Sequence, residues 1–139
     1  MSHRIGEILI ERGLIAPEQL ADAVRRQQET KEYLGKILVE AGVIDERRLI
    51  EVLAEQQSLE FVDLSDREIP AQVVKRVPAK FARHYSIMPV NISGNVLTVA
   101  IANPFDVWPI DDLASNLGFR VRKVLATTAD INQAISKYY

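Results

Sequence analysis

The chain has 139 residues, of which 47% are hydrophobic, so it is long enough and apolar enough to fold around a packed core. Seventeen Lys and Arg residues stand against nineteen Asp and Glu residues, and the net charge of −2 gives no basic surplus for binding a nucleic-acid backbone. The absence of cysteine excludes disulfides and thiolate metal sites.

The first half of the chain contains an internal duplication. Residues 4–27 align with residues 33–56 without a gap, at a shift of 29 positions, and eight of the 24 positions are identical. The identical pairs are Gly6/Gly35, Ile8/Ile37, Leu9/Leu38, Glu11/Glu40, Gly13/Gly42, Ile15/Ile44, Leu20/Leu49 and Gln27/Gln56. Because the alignment needs no gap, both copies are predicted to adopt the same structure.

Each copy is predicted to be a pair of helices, which gives four short helices in residues 1–56. In the first copy, Ile5, Ile8 and Leu9 have the i, i+3, i+4 spacing of one helical face. Gly13 follows at the position where a left-handed C-terminal cap is expected, and Gly42 occupies the same place in the second copy. The glycine caps therefore predict where the first helix of each copy ends.

The repeat contains two residue types, glycine and glutamine, at positions where helix packing in general does not require them. Gly6 and Gly35 lie within predicted helices, where glycine costs about 1 kcal/mol relative to alanine. Gln27 and Gln56 end stripes of otherwise apolar residues, where a buried amide needs partners. Two interpretations remain open: the glycines permit close helix packing and the glutamines cap neighbouring carbonyls, or both residue types contact a ligand.

The pattern of arginine, glycine, leucine and glutamine in residues 4–56 resembles the MshEN domain. That domain is found at the N-terminus of many type II secretion and type IV pilus assembly ATPases, and it binds the second messenger cyclic di-GMP. The resemblance implies that each copy of the repeat holds one half of this two-fold symmetric ligand. No other cofactor is implied.

The resemblance also implies a set of ligand-binding residues. They are Arg4, Ile5, Gly6, Leu9, Gly13, Leu20, Val24 and Gln27 in the first copy, and Tyr33, Leu34, Gly35, Leu38, Gly42, Leu49, Leu53 and Gln56 in the second. Arg4 would contact a guanine or a phosphate, the glycines would allow close backbone approach, the apolar residues would form a bed for the bases and riboses, and the glutamines would add polar contacts. Tyr33 stands where the first copy has Arg4; a tyrosine stacks on a base but cannot neutralise a phosphate.

Residues 57–139 have a different pattern, which predicts a small α+β unit. Helices are predicted at 71–76, 79–84, 110–117 and 130–138, the last preceded by Thr128 or Ala129, and strands at 87–92, 96–101 and 119–126. Ser93, Gly94 and Asn95 predict a hairpin turn between the first two strands. The predicted fold class is α+β: a tandem helix-hairpin repeat of four short helices, followed by a small α+β unit with an antiparallel three-stranded sheet.

The second half also resembles the N-terminal region of the assembly ATPases, through the segments FVDLSD at 61–66, VPAKFARHYSIMPV at 77–90 and LTVAIANPFD at 97–106. In that family a polar residue of the last segment is a candidate for reaching the nucleotide, and here the candidates are Asn103 and Asp106. The alternative is that Asp106 only caps a turn or the following helix.

The sequence lacks the motifs of several enzyme classes. The single Gly-Lys pair, Gly35-Lys36, is followed by Ile37 and belongs to the repeat, so there is no P-loop for ATP hydrolysis. His3 and His84 are isolated, which predicts no metal site. With no signal peptide and no apolar run of about 20 residues, we expect a cytoplasmic protein, with any contact at the inner membrane made through partners.

We therefore expect a non-enzymatic regulatory module with a ligand-binding part at 1–56 and an α+β part at 57–139. The resemblance implies three partners: cyclic di-GMP, the inner-membrane platform protein of a secretion or pilus system, and ATPase modules of the same polypeptide if the chain is a fragment. DNA and RNA are not expected. The alternative is a docking module that binds the cytoplasmic part of the platform protein and holds no nucleotide.

Overall fold

The computed structural model describes the backbone of residues 2–139 and the side chains of residues 5–139. It divides into two compact units, Met1–Gln56 and Gln57–Tyr139. Within residues 2–139, no helix combines the length and the apolar character needed to span a bilayer.

The first unit consists of four helices, as the repeat predicts. They are α1 (Ser2–Glu11), α2 (Pro17–Thr30), α3 (Leu34–Glu40) and α4 (Glu46–Gln57). Pro17 is the first residue of α2, where its missing amide hydrogen leaves no helical hydrogen bond unmade. Buried apolar residues from all four helices form the core of this unit, among them Leu9, Ala23, Leu38 and Leu53.

The second unit is a three-stranded sheet with helices around it. After a 3₁₀ turn at Leu64–Asp66 come α5 (Ala71–Val74), α6 (Ala79–Tyr85), β1 (Met88–Ser93), β2 (Val96–Ile101), α7 (Trp108–Leu117), β3 (Arg120–Leu125) and α8 (Thr128–Tyr138). The α+β class and all three predicted strands are confirmed. Gly94 has a φ of 60° at the hairpin turn between β1 and β2, as the Ser-Gly-Asn sequence predicts.

The orientation of the third strand differs from the prediction. β1 and β2 are antiparallel, but β3 pairs with β2 in parallel, with Val96 opposite Arg120 and Ile101 opposite Leu125. The sheet is therefore mixed and not wholly antiparallel. The reason lies in α7, which carries the chain back along the sheet before β3 begins, as a crossover between parallel strands requires.

Helix α8 closes the core of the second unit. Ile131, Ala134 and Ile135 are buried on its inner face and belong to one cluster with residues of the strands. Its N-cap is Thr127, whose side chain accepts a hydrogen bond from the Asp130 amide at 3.1 Å, so the helix begins at Thr128, two residues before the start predicted from the sequence.

Candidate functional site

The two copies of the repeat end their first helices with the same cap. Gly13 and Gly42 have φ values of 72° and 74°. In the first copy the Gly13 amide donates to Ile10 O at 2.9 Å and the Leu14 amide donates to Leu9 O at 2.9 Å. The second copy repeats both bonds 29 residues later, at 3.0 and 3.1 Å. This pair of bonds is the Schellman motif, and it confirms the predicted glycine caps.

Gly6 and Gly35 each lie against the matching leucine of the same copy. A Cβ atom on Gly6 would lie 2.4 Å from Leu20 Cδ1, and one on Gly35 would lie 2.8 Å from Leu49 Cδ2. Both distances are too short for two carbon atoms. The structure therefore gives these glycines a packing role: they let the second helix of each copy approach the first.

Most apolar residues proposed as the bed for the ligand are instead buried within the protein. Ile5, Leu9, Leu34, Leu38, Leu49 and Leu53 are each less than 8% exposed. Leu20 and Val24, both in the first copy, are half-buried. Six of the eight are therefore core residues, because a four-helix unit of this size needs these side chains for its own core, and the predicted contact of the eight with a ligand remains a prediction.

The two repeated glutamines differ in their hydrogen bonds. Gln27 Nε2 donates to Glu32 O at 3.2 Å and so holds the segment that joins the copies. Gln56 Oε1 is buried, and no donor of the described residues lies within hydrogen-bond distance of it. A buried acceptor without a donor costs free energy, so Gln56 is the one repeated polar residue that the fold itself leaves unsatisfied among the described side chains.

The aromatic and cationic residues at the start of each copy are described to different extents. Tyr33 immediately precedes α3 and is 51% exposed, so its ring is accessible to a ligand. The side chain of Arg4 lies outside the described residues, although its backbone belongs to α1. Its predicted role therefore remains a prediction.

An ion pair that the sequence did not predict joins the two copies. Arg12 Nη1 lies 2.6 Å from Glu55 Oε2, and this connects the end of α1 to α4. The hydrogen bond from Arg12, followed by its charge, lowers the pKa of the Glu55 carboxyl. Both side chains are exposed, so the pair contributes little stability. Arg12 and Glu55 are 43 residues apart, and no local pattern signals such a pair.

A cleft between α2 and α3 contains further polar side chains that no sequence pattern singles out. Its lining includes Gln19, Asp22 and Arg26 from α2. Ala41 and Val43, which follow α3, line it as well. Only Leu38 of the predicted ligand-binding residues lines it. Arg26 is exposed, so this cleft has a cationic side chain at its edge.

Asn103 and Asp106 lie together at the end of β2. Asn103 Oδ1 accepts from the Phe105 amide at 2.9 Å, and Asn103 O accepts from the Asp106 amide at 3.3 Å. Both residues line a cleft of the second unit that also includes Tyr85 and Pro109. Asn103 therefore shapes the turn, and the suggested nucleotide contact of either residue remains a prediction.

Comparison with known proteins finds one matching domain family and several similar proteins. The model of the MshEN domain family matches residues 57–139, which is the second unit, whereas the repeat lies in residues 4–56. The type IV pilus assembly ATPase PilB of Myxococcus xanthus is 34% identical over 139 residues, covering 100% of this chain and 25% of the relative. Bacteriophage adsorption protein B of Escherichia coli is 28% identical over 135 residues, covering 97% of the chain and 18% of that relative.

Two solved structures are similar to this chain over nearly its whole length. The structure of MshE with cdg (cyclic di-GMP) has a TM-score of 0.85 and 29% identity, and the match covers 97% of this chain and 98% of that one. The structure of the N-terminal domain of XpsE has a TM-score of 0.80 and 27% identity, covering 99% and 94%. The chain spans a quarter or less of the length of the curated relatives named above.

Proposed function

The chain belongs to the MshEN domain family, and we propose that it is a regulatory domain that binds cyclic di-GMP through its first unit. By its family the domain is non-catalytic, and the ATPase activity of family members lies in other parts of those proteins. We further propose that ligand binding here regulates a secretion or pilus assembly ATPase, and that the domain also contacts the inner-membrane platform protein of that system.

One observation carries the proposal: the duplicated helix hairpin of this chain has the fold of the MshE structure that contains cyclic di-GMP. The ligand has two-fold symmetry, and the two hairpins repeat their caps and their glycine–leucine contacts at a constant shift of 29 residues. A duplicated protein motif is suited to a duplicated ligand, because each half of the ligand meets the same set of groups.

The hydrogen-bonding state of the glutamines supports the same proposal. Gln56 Oε1 is a buried acceptor without a donor among the described residues, and a guanine N–H would satisfy it. Gln27 already donates to Glu32 O, so it would have to exchange this bond for one to the ligand. We therefore propose that Gln56 of the second copy binds the ligand at a lower cost in free energy than Gln27 of the first copy.

The burial of the apolar residues indicates how the ligand would be held. Six of the eight apolar residues are buried, while Leu20, Val24 and the exposed ring of Tyr33 remain accessible. In this proposal the bases lie against these accessible groups, and the buried leucines fix the helices beneath them. In this proposal Arg4 and Arg26 supply the cations for the two phosphates.

Isothermal titration calorimetry of the chain with cyclic di-GMP tests the proposal, with GTP and ATP as control ligands. We expect saturable binding of cyclic di-GMP only. A charge-assisted contact is typically worth ~1.5–3 kcal/mol, so Arg4→Ala should weaken binding by roughly ten- to a hundred-fold. Arg25→Ala is the matched control, because Arg25 is exposed and pairs with Asp22 of its own helix. Tyr33→Arg should strengthen binding by adding a cation to the second copy.

Two results would contradict the proposal. One is the absence of heat with cyclic di-GMP at high micromolar concentration, and the other is an equal affinity of Arg4→Ala and the parent chain. Either result would favour the alternative, a docking module for the platform protein that binds no nucleotide.

A further inference from the structure

The loop between β2 and α7 exposes a cluster of large apolar side chains. Phe105 is 47% exposed, Val107 55% and Trp108 70%, and these three residues, which we call the aromatic loop patch, lie within four consecutive positions. Tyr33 is the one other large hydrophobic residue of the described side chains with comparable exposure. Aromatic side chains clustered on a surface are typical of sites that contact another molecule.

The exposure of the aromatic loop patch does not come from a loosely held loop. The Phe105 amide is fixed by Asn103 Oδ1 at 2.9 Å, and Lys123 Nζ donates to Pro104 O at 3.0 Å. Pro104 and Pro109, which lie on either side of the patch, are both buried. The backbone of the loop is therefore held in place before a partner binds, which lowers the entropic cost of binding.

The surroundings of the patch are acidic. Residues 103–117 contain Asp106, Asp111 and Asp112 and no lysine or arginine. Asp106 lines the adjacent cleft, and Asp111 is exposed on the first turn of α7. The Tyr85 hydroxyl, at the edge of this cleft, donates to Asp112.

Two of these carboxylates, Asp106 and Asp112, both influence the hydroxyl of Tyr85. Its pKa is raised, first by the hydrogen bond to Asp112, then by desolvation, and further by the charges of Asp112 and Asp106. A cationic side chain entering the cleft would meet this negative potential beside a polar lining of Asn103 and Tyr85. Lys123 also lies at the loop, where it donates to Pro104 O and keeps its positive charge, so it offsets part of the negative charge of the three aspartates.

We propose that the aromatic loop patch, together with Asp106 and Asp111, docks a basic amphipathic helix of a partner protein. The apolar face of that helix lies on Phe105, Val107 and Trp108, and an arginine or lysine enters the cleft beside Asp106. Charge complementarity selects this occupant: an anionic membrane surface or a second copy of the same acidic patch would be repelled. This inference does not depend on nucleotide binding by the first unit.

Trp108 is the single tryptophan of the chain, so its fluorescence reports on the patch directly. The probe is a helix-forming peptide of leucine and lysine, about 14 residues long, and the control is the same peptide with glutamate in place of lysine. We expect the lysine peptide to shift Trp108 emission to the blue and to protect it from acrylamide quenching, with saturation and with weakening at high salt. The glutamate peptide should leave the emission unchanged.

Matched variants distinguish electrostatic attraction from nonspecific hydrophobic binding. The double variant Asp106→Asn/Asp111→Asn should weaken binding of the lysine peptide by about tenfold or more. Glu68→Gln is the control, because Glu68 is exposed in the same unit but outside the patch, and it should bind like the parent. Phe105→Ser should also weaken binding, with the fold checked by circular dichroism.

Three results would overturn the inference. They are unchanged Trp108 emission at millimolar lysine peptide, equal binding of the two peptides, and full affinity in the Asp106→Asn/Asp111→Asn variant. A blue shift that grows with protein concentration in the absence of peptide would assign the patch to a second copy instead. Since calorimetry with cyclic di-GMP tests other residues, a failure of either proposal is distinguishable from a failure of the other.

Discussion

Replacing Gly6 or Gly35 by alanine tests whether these glycines serve helix packing. The added methyl group of Gly6→Ala would lie 2.4, 3.0 and 3.2 Å from Cδ1, Cδ2 and Cγ of Leu20, so the whole leucine has to move. In Gly35→Ala one methyl of Leu49 is too close, at 2.8 Å, while its Cγ and Cδ1 are at 3.7 and 3.8 Å. The two repeat-equivalent substitutions therefore differ in the overlap that they create.

The expected magnitudes follow from two opposing effects. Alanine in a helix interior gains up to about 1 kcal/mol over glycine, whereas overpacking costs about 1–3 kcal/mol. Gly6 lies inside α1 and its methyl group meets three atoms, so we expect Gly6→Ala to lower the free energy of unfolding by about 1 kcal/mol. Gly35→Ala should be within about 0.5 kcal/mol of the parent, because movement of one leucine methyl relieves its overlap.

Urea denaturation followed by circular dichroism at the helix band measures these differences. Trp108 lies in the second unit, so its fluorescence in the same titration shows whether a change is confined to the first unit. The double variant Gly6→Ala/Leu20→Ala adds a decisive comparison. Since the smaller side chain removes the overlap, the cost of Gly6→Ala in this background should vanish, a coupling of about 1 kcal/mol.

The packing explanation is wrong if Gly6→Ala raises the urea midpoint, because that is the effect of alanine for glycine at an unobstructed helical position. It is also wrong if the effects of Gly6→Ala and Leu20→Ala simply add. If Gly6→Ala is as stable as the parent but no longer binds cyclic di-GMP, close approach of the ligand to the backbone becomes the better explanation of the glycine.

Three further predictions concern other residues. Gln56→Leu removes a buried acceptor that has no donor among the side chains of residues 5–139, so the ligand-free chain should gain about 1 kcal/mol in urea denaturation while its affinity for cyclic di-GMP falls; a loss of stability would contradict this. Thr127→Ala removes the N-cap of α8 and should cost about 1 kcal/mol, measured by thermal unfolding, and an unchanged melting temperature would argue against the cap. Burial raises the pKa of Tyr139 from 10.0 to about 12, so the native state keeps this proton longer than the unfolded state and stability should fall as the pH rises through that interval. In Tyr139→Phe this alkaline loss should be smaller, and an identical pH profile of the two chains would refute the assignment.

Several elements of this fold were predictable from the sequence because their signals are local. A glycine at the end of an apolar helical pattern marks the left-handed cap, and Gly13 and Gly42 both adopt it. The Ser-Gly-Asn turn fixes the hairpin of β1 and β2 in the same way. The gapless shift of 29 residues made the equivalence of the two helix hairpins predictable as well.

The arrangement of β3 and the state of the candidate site were not predictable in this way. Strand direction depends on how α7 returns the chain, and both parallel and antiparallel pairings fit the same strand pattern. The leucine spacing of the repeat likewise fits a ligand-binding surface and a helical core equally well, and the structure places Leu9, Leu38 and Leu53 in the core.

The sequence by itself determined the duplication, the four helices and their glycine caps, and the α+β class of the second unit. Only the tertiary structure decided which apolar residues are buried, that Gly6 and Gly35 accommodate Leu20 and Leu49, and that Gln56 Oε1 lacks a donor among the described residues. The physical reason is that caps and turns depend on the conformation of a few consecutive residues. Burial and hydrogen-bond satisfaction depend on which distant segments meet, and this is settled only when the helices pack.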